Sequence, residues 1–272
     1  KSSATSCKAV ALYKLVTDYY TFKIFSGSEN YENVVVTKRA PTLTENQVAV
    51  LVTEGYTQEQ IENLPPAVTD SANVVVNGTA YHLKVSDKVD GVYSPFYAPE
   101  LLTEATTVSY ARTAKEWNSL CLPISLPYNK VASLFGTDAE VYQLTTVDKN
   151  CQVVFSKFTS GTIAAGTPVL VKSVATSWNA TELAGPFNIK GDAPVTFTPV
   201  GDSTVGTAEL LGSYKEIVPG TVDGSQLYKL MTTASGQCFG KLSSTGKVYP
   251  FRIYLKYTPP TAQSAPANLP VK

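Results

Sequence analysis

VSYARTAKEWNSLCLPISLP, residues 108–127, is the stretch whose reading decides the fold. Its middle, Trp117 to Pro123, is the most apolar and least charged segment near the centre of the chain. It reads as two core strands, residues 106–112 and 119–124, meeting at a loop over 113–116. Trp117, Leu120, Leu122, Leu170, Val171, Phe251 and Ile253 are expected in the core.

Upstream, residues 73–85 (NVVVNGTAYHLKV) form the clearest hairpin. Asn77-Gly78 supplies the two φ > 0 residues of a type I′ turn between β-rich arms. Earlier strands are expected at 9–16, 19–25, 34–36 and 47–53. Residues 57–64 read as a small helix, opened by the capping pair Thr57 and Gln60 and stopped by Pro65-Pro66. Downstream, residues 129–135 make one short helix ended by Gly136. Short strands then follow at 140–147, 151–158, 167–172, 194–200 and 208–213. A β-meander over 226–232, 237–242 and 247–257 completes the set. Evenly spaced short strands with turn signals indicate a sandwich or barrel.

The expected architecture is mainly β, with two packed β modules, the second a β-sandwich with short strands, plus one or two short helices. The first module covers 1–95 and the second 96–258, with the boundary in the Pro- and aromatic-rich segment around 90–102. Residues 259–272 form a Pro/Ala-rich tail expected to be disordered.

Composition narrows the chemistry. The 272 residues carry 22 basic and 22 acidic side chains, a net charge of zero, which gives no long-range pull on nucleic acid or anionic membrane. Charged residues are 16% of the chain, too few for the exposed faces of a helical protein, and 16 Tyr favour sheet. One His and one Met weigh against most His-based catalysis and metal cages. Cys7, Cys121, Cys151 and Cys238 show no C-x-x-C spacing, so no zinc site is expected. Up to two disulfides would fit export, while Cys121, inside an apolar strand, reads as a buried free thiol. No apolar run approaches the length of a membrane helix. The chain opens without an initiator Met or visible signal peptide, as expected of a processed piece of an exported precursor.

Catalytic signatures are scarce. Gly201-Asp202-Ser203 has the opening of a Gly-Asp-Ser hydrolase block, but the sole His, His82, lies in the other module. Two carboxylates could make a glycosidase without His, and Glu140, Glu182, Glu209 and Glu216 are the acids of the second module to consider. Spacing pairs none of them. Residues 87–91 (DKVDG) read as a turn rather than a calcium loop. Trp178, in the polar stretch 173–185, is the candidate ligand-binding residue: exposed there, it would stack on a sugar ring.

The central stretch also carries a resemblance. Residues 107–112 (TVSYAR) followed by 117–123 (WNSLCLP) resemble a recurring module of secreted and surface proteins from gut Bacteroidales. That module runs Y-x-R, a short loop, then W-x-T-[IL]-C-L-P-F. Residues 165–172 (AGTPVLVK), 249–254 (YPFRIY), 73–78 (NVVVNG) and 83–87 (LKVSD) match its other pieces in order. Ser119 and Ile124 depart from it, replacing Thr and Phe. The resemblance implies export to the surface of an anaerobic gut bacterium and a β-sandwich module that often trails leucine-rich or β-helical repeats. It also implies O-glycosylation at Asp-Ser sites, which marks Ser71 and Ser203.

The expected function is a non-enzymatic surface or secreted protein with an adhesive or structural role. One alternative is a carbohydrate-binding module acting in glycan capture, and a second is a carboxylate-based glycoside-processing enzyme. The expected partners are glycans or surface proteins, without nucleic acid, and no cofactor is implied.

Overall fold

The computed structural model describes residues 72–272 apart from 97, 99–101, 192, 220–225 and 261–262. It also describes the backbone of four earlier strands, Leu12–Leu15, Lys23–Ile24, Val34–Val35 and Ala49–Val52. The helix expected over 57–64, Cys7 and Ser71 lie outside the described residues.

Asn77 and Gly78 turn the chain at φ of 50° and 86° between the strands Val74–Val76 and Thr79–Ser86. This is the hairpin expected from the sequence. Thr79–Ser86 then pairs in parallel with Glu104–Thr113, which pairs antiparallel with Ser177–Asn188. Together with Leu12–Leu15 and Ala49–Val52 they make a six-stranded mixed sheet.

The chain leaves this sheet at residues 114–116. Trp117–Cys121 belongs to a second, four-stranded antiparallel sheet with Pro168–Lys172, Glu140–Val147 and Val153–Phe158. Residues 113–116 are therefore a corner between sheets rather than a turn between paired strands. Asn118 holds the corner: its side-chain oxygen accepts from the Lys115 amide at 3.0 Å and its nitrogen donates to the Lys115 carbonyl.

The third sheet has six antiparallel strands in the order Val200–Asp202, Gly206–Ser213, Arg252–Thr258, Leu227–Thr233, Gly236–Lys241 and Asn268–Pro270. The expected meander is corrected here. Arg252–Thr258 returns to the inner side of Leu227–Thr233, between it and Gly206–Ser213, because its alternate residues Ile253, Leu255 and Tyr257 are all buried and need cover on both flanks. Residues 194–199 are not strand, and pairing begins at Val200.

The second and third sheets face each other. The Cys121 amide donates to the Phe251 carbonyl at 3.1 Å, and Phe155 stacks parallel to Phe239 with centroids 6.1 Å apart. The result is mainly β and sandwich-like, and among the described residues one short α-helix, Val131–Phe135, packs against the Ser177–Asn188 strand. Gly136, at φ 103°, ends that helix as expected.

Two observations bear on the organisation of the chain. The division at 95/96 does not coincide with a sheet boundary: Thr79–Ser86 and Glu104–Thr113 are neighbours, and one apolar cluster runs from Val75 through Leu120 and Phe251 to Leu269. The tail is also corrected. Asn268–Pro270 is an edge strand, and Leu269 is fully buried because its side chain closes the cluster beside Phe239, its register partner.

Candidate functional site: a cationic cleft between the sheets

Alternation along Glu104–Thr113 decides what faces inward. From Val108 the odd side chains, Ser109, Ala111 and Thr113, point away from the core, while Val108, Tyr110 and Arg112 are buried. The period of two thus carries a guanidinium to the core side. Arg112 is 7% exposed. Its Nη1 donates to the Ser119 carbonyl at 3.0 Å and its Nη2 to the Asn118 side-chain oxygen at 3.5 Å. Its cross-strand partner is Trp178, and the guanidinium lies over that ring at 5.2 Å.

Trp178 is therefore not an exposed platform. It is 2% exposed, with Phe135 at 4.6 Å and Tyr110 at 6.4 Å between ring centroids. The stretch read as a polar loop is the long strand Ser177–Asn188, in which Trp178 and Ala180 point in while Ser177, Asn179 and Thr181 point out. The inward Trp was hidden because every outward neighbour is polar. Trp117, expected in the core, is only half-buried. It packs against the core edge beside Tyr142 and under Lys172, whose Nζ is 5.6 Å from its ring.

A second arginine meets the first. Arg252 opens its strand directly after the buried Phe251, and its Nη2 donates to Asp87 Oδ2 at 2.7 Å. Asp87 is 3% exposed and Arg252 is half-buried. Removing one partner of such a pair leaves an uncompensated charge, so the pair fixes the geometry between the first and third sheets. Beside it, Asp90-Gly91 turns the small hairpin of Lys88–Val89 and Val92–Tyr93. The hairpin lays Tyr93 flat on Tyr249, with centroids 3.8 Å apart, and Lys88 sits over the Tyr93 ring at 4.8 Å.

These residues line one open cleft of about 340 Å³. Among the described residues, six cations (Lys88, Arg112, Lys115, Lys229, Lys247 and Arg252) and a single carboxylate, Asp87, border it. Lys247 is committed to Glu216 at 2.8 Å. Lys115 and Lys229 have no ion-pair partner among the described residues. Among the described residues four buried polar atoms are without a hydrogen bond: Tyr110 Oη, Arg112 Nε, Trp178 Nε1 and Arg252 Nη1. Burial lowers the Arg112 guanidinium to about 10 and raises the Tyr110 hydroxyl above the ordinary phenol range. The two side chains feel each other's charge.

Four segments quoted for the resemblance contribute here: Asp87, Arg112, Trp117 to Ser119, and Tyr249 with Arg252 share this cleft. Sequence reasoning placed several in the core or in turns and did not join them. The available signal was a charged residue at an inward strand position, Arg112 two residues after Tyr110.

The remaining candidates lie apart. Ser203 is exposed on the turn between Val200–Asp202 and Gly206–Ser213, where Asp202 Oδ1 accepts from the Thr204 amide at 2.7 Å. His82 is in the first sheet, its Nδ1 3.0 Å from Thr107 Oγ1, so the sheets that hold Ser203 and His82 differ. Glu140 is paired with Lys157, Glu182 is on the first sheet, Glu209 on the third, and Glu216 is bound to Lys247. Cys121, Cys151 and Cys238 are free thiols. Among the described residues no three acids, His or Cys gather as a metal site, and no helix is long and apolar enough to cross a membrane.

No family model matches the chain, and neither a curated protein nor a solved structure matches it.

Proposed function

We propose that this chain is a non-enzymatic, exported binding protein of a bacterial surface, an adhesion or capture module whose recognition site is the cationic cleft. The observation that carries the proposal is the gathering of six cations against one carboxylate on the wall of the cleft, with the guanidinium groups of Arg112 and Arg252 in its lining. Burying a guanidinium is costly unless its donors are satisfied. Here Trp178, Asn118 and Asp87 hold both groups in place, so the arrangement is preorganised for a ligand that supplies acceptors. Export is supported by the resemblance described above and by the low charge of the chain. Carbohydrate capture moves from Trp178 to this cleft.

The test is a binding screen of the folded full chain against glycan and protein panels, with Lys115→Glu/Lys229→Glu beside it. Both lysines border the cleft, and neither has an ion pair to lose among the described residues. A ligand held by the parent and lost by the variant is expected. Ligands bound equally by both would place recognition elsewhere on the surface. Labelling of intact cells with antibody tests export.

A further inference from the structure

We infer that the cleft takes an acidic saccharide, a sugar carrying a carboxylate or sulfate ester whose oxyanion sits at Arg112 and Arg252. The inference rests on the cleft being the recognition site and adds the chemistry that it selects. Guanidinium donors match planar or tetrahedral oxyanions in a fixed fork, which an ammonium does not. Arg252 commits one nitrogen to Asp87, and Arg112 commits two to Ser119 and Asn118. Each retains a buried donor without an acceptor.

An oxyanion in the cleft is drawn by both guanidinium groups and by the lysines that line it with them, and a neutral hydroxyl only weakly. Lys115 and Lys229, without an ion pair among the described residues, add positive charge to the lining. Inside a chain of zero net charge this is a local selector rather than a general polyanion field.

Size and surroundings point to a sugar. A cleft of about 340 Å³ is in the range of small-molecule sites and has room for a short oligosaccharide. Half-buried Trp117 and Tyr249 put aromatic surface next to the charges, suited to the apolar face of a pyranose. A duplex or an extended nucleic-acid strand needs a longer basic track than one compact cluster.

The deciding experiment is calorimetric titration of the full chain with four saccharide probes. They are oligogalacturonate, its methyl ester, a sulfated galactan oligosaccharide free of carboxylate, and its desulfated counterpart. Poly-glutamate and inorganic phosphate serve as charge controls. Binding of oligogalacturonate or the sulfated galactan is expected, weakening as salt is raised, with the neutral counterpart silent. The two acidic arms tell carboxylate from sulfate. Arg252→Gln should abolish the heat, and Lys115→Glu/Lys229→Glu should weaken binding about tenfold or more without touching the buried pair.

Neutral probes that bind as well as acidic ones, and are lost in the lysine variant, would overturn the acidic class but keep the cleft as the recognition site. Acidic saccharide binding unchanged in both variants would overturn the cleft itself. Equal binding of poly-glutamate or phosphate would show that charge alone suffices and overturn the saccharide. Silence from every acidic saccharide with folded protein would overturn the inference outright.

Discussion

Trp178 illustrates how one residue changes meaning when its strand is known. Its ring is enclosed by Phe135, Tyr110 and Arg112. Trp178→Ala should cost about 3–5 kcal/mol in chemical denaturation, the usual range for a buried aromatic. Trp178→Phe should recover most of that. A loss near zero would mean the ring is not core. Cys121 makes a second prediction at this scale. Burial raises its thiol well above the ordinary value of 9.0. Below that value both folded and unfolded chains hold the proton. Above it the unfolded chain releases it first, so stability falls as pH rises. Tyr110 shifts in the same direction, and Arg112, lowered to about 10, opposes them only at higher pH. Denaturation midpoints should therefore drop between about pH 8 and about pH 10, by up to about 1.4 kcal/mol per pH unit for one thiol. Cys121→Ala should flatten the slope. An unchanged slope in that variant would show that the thiol is not the source.

At the scale of elements, Gly212 decides how closely two sheets meet. A Cβ there would lie 2.2 Å from Cys121 Sγ and 2.8 Å from its Cβ. Gly206–Ser213 and Trp117–Cys121 can approach only because that side chain is missing. Gly212→Val should destabilise by about 1–3 kcal/mol or more, as overpacked cores do, and Cys121→Ala should recover part of the loss. Independent, additive effects would indicate that the strands do not touch there. Element existence was largely legible in the sequence. The Asn77-Gly78 hairpin, the hairpin about residues 148–150 and the helix before Gly136 all formed where local signals put them. Ser177–Asn188 was not legible, because an edge strand with a solvated outer face and register shifts shows little alternation.

At the scale of the molecule, the two expected modules share a sheet and a core. A fragment of residues 96–272 would lose the Thr79–Ser86 strand and uncover Val108 and Tyr110, the register partners of Leu83 and Val85. Circular dichroism and urea melting of that fragment should show a weaker or absent transition. Two independent transitions from two separate halves would restore the division at 95/96. The tail is tested by Leu269→Ala, expected to cost about 2–5 kcal/mol as a buried leucine. Deleting 263–272 should cost more, since the Phe155 amide donates to the Lys272 carbonyl and the Lys272 amide to that of Val153.

The sequence by itself determined the β class, the tight turns and most of the buried aliphatic residues, because propensity, turn chemistry and alternation act over a few residues. Leu120, Leu122, Leu170, Val171, Phe251 and Ile253 are all buried as expected. The tertiary structure alone decided that Arg112 and Arg252 meet, that Asp87 joins them, and that Trp178 lies beneath rather than on the surface. Those contacts span from 66 residues between Arg112 and Trp178 to 165 between Asp87 and Arg252 along the chain, and arise from which strands become neighbours. Strand order depends on the summed burial of whole sheets, which no local stretch encodes.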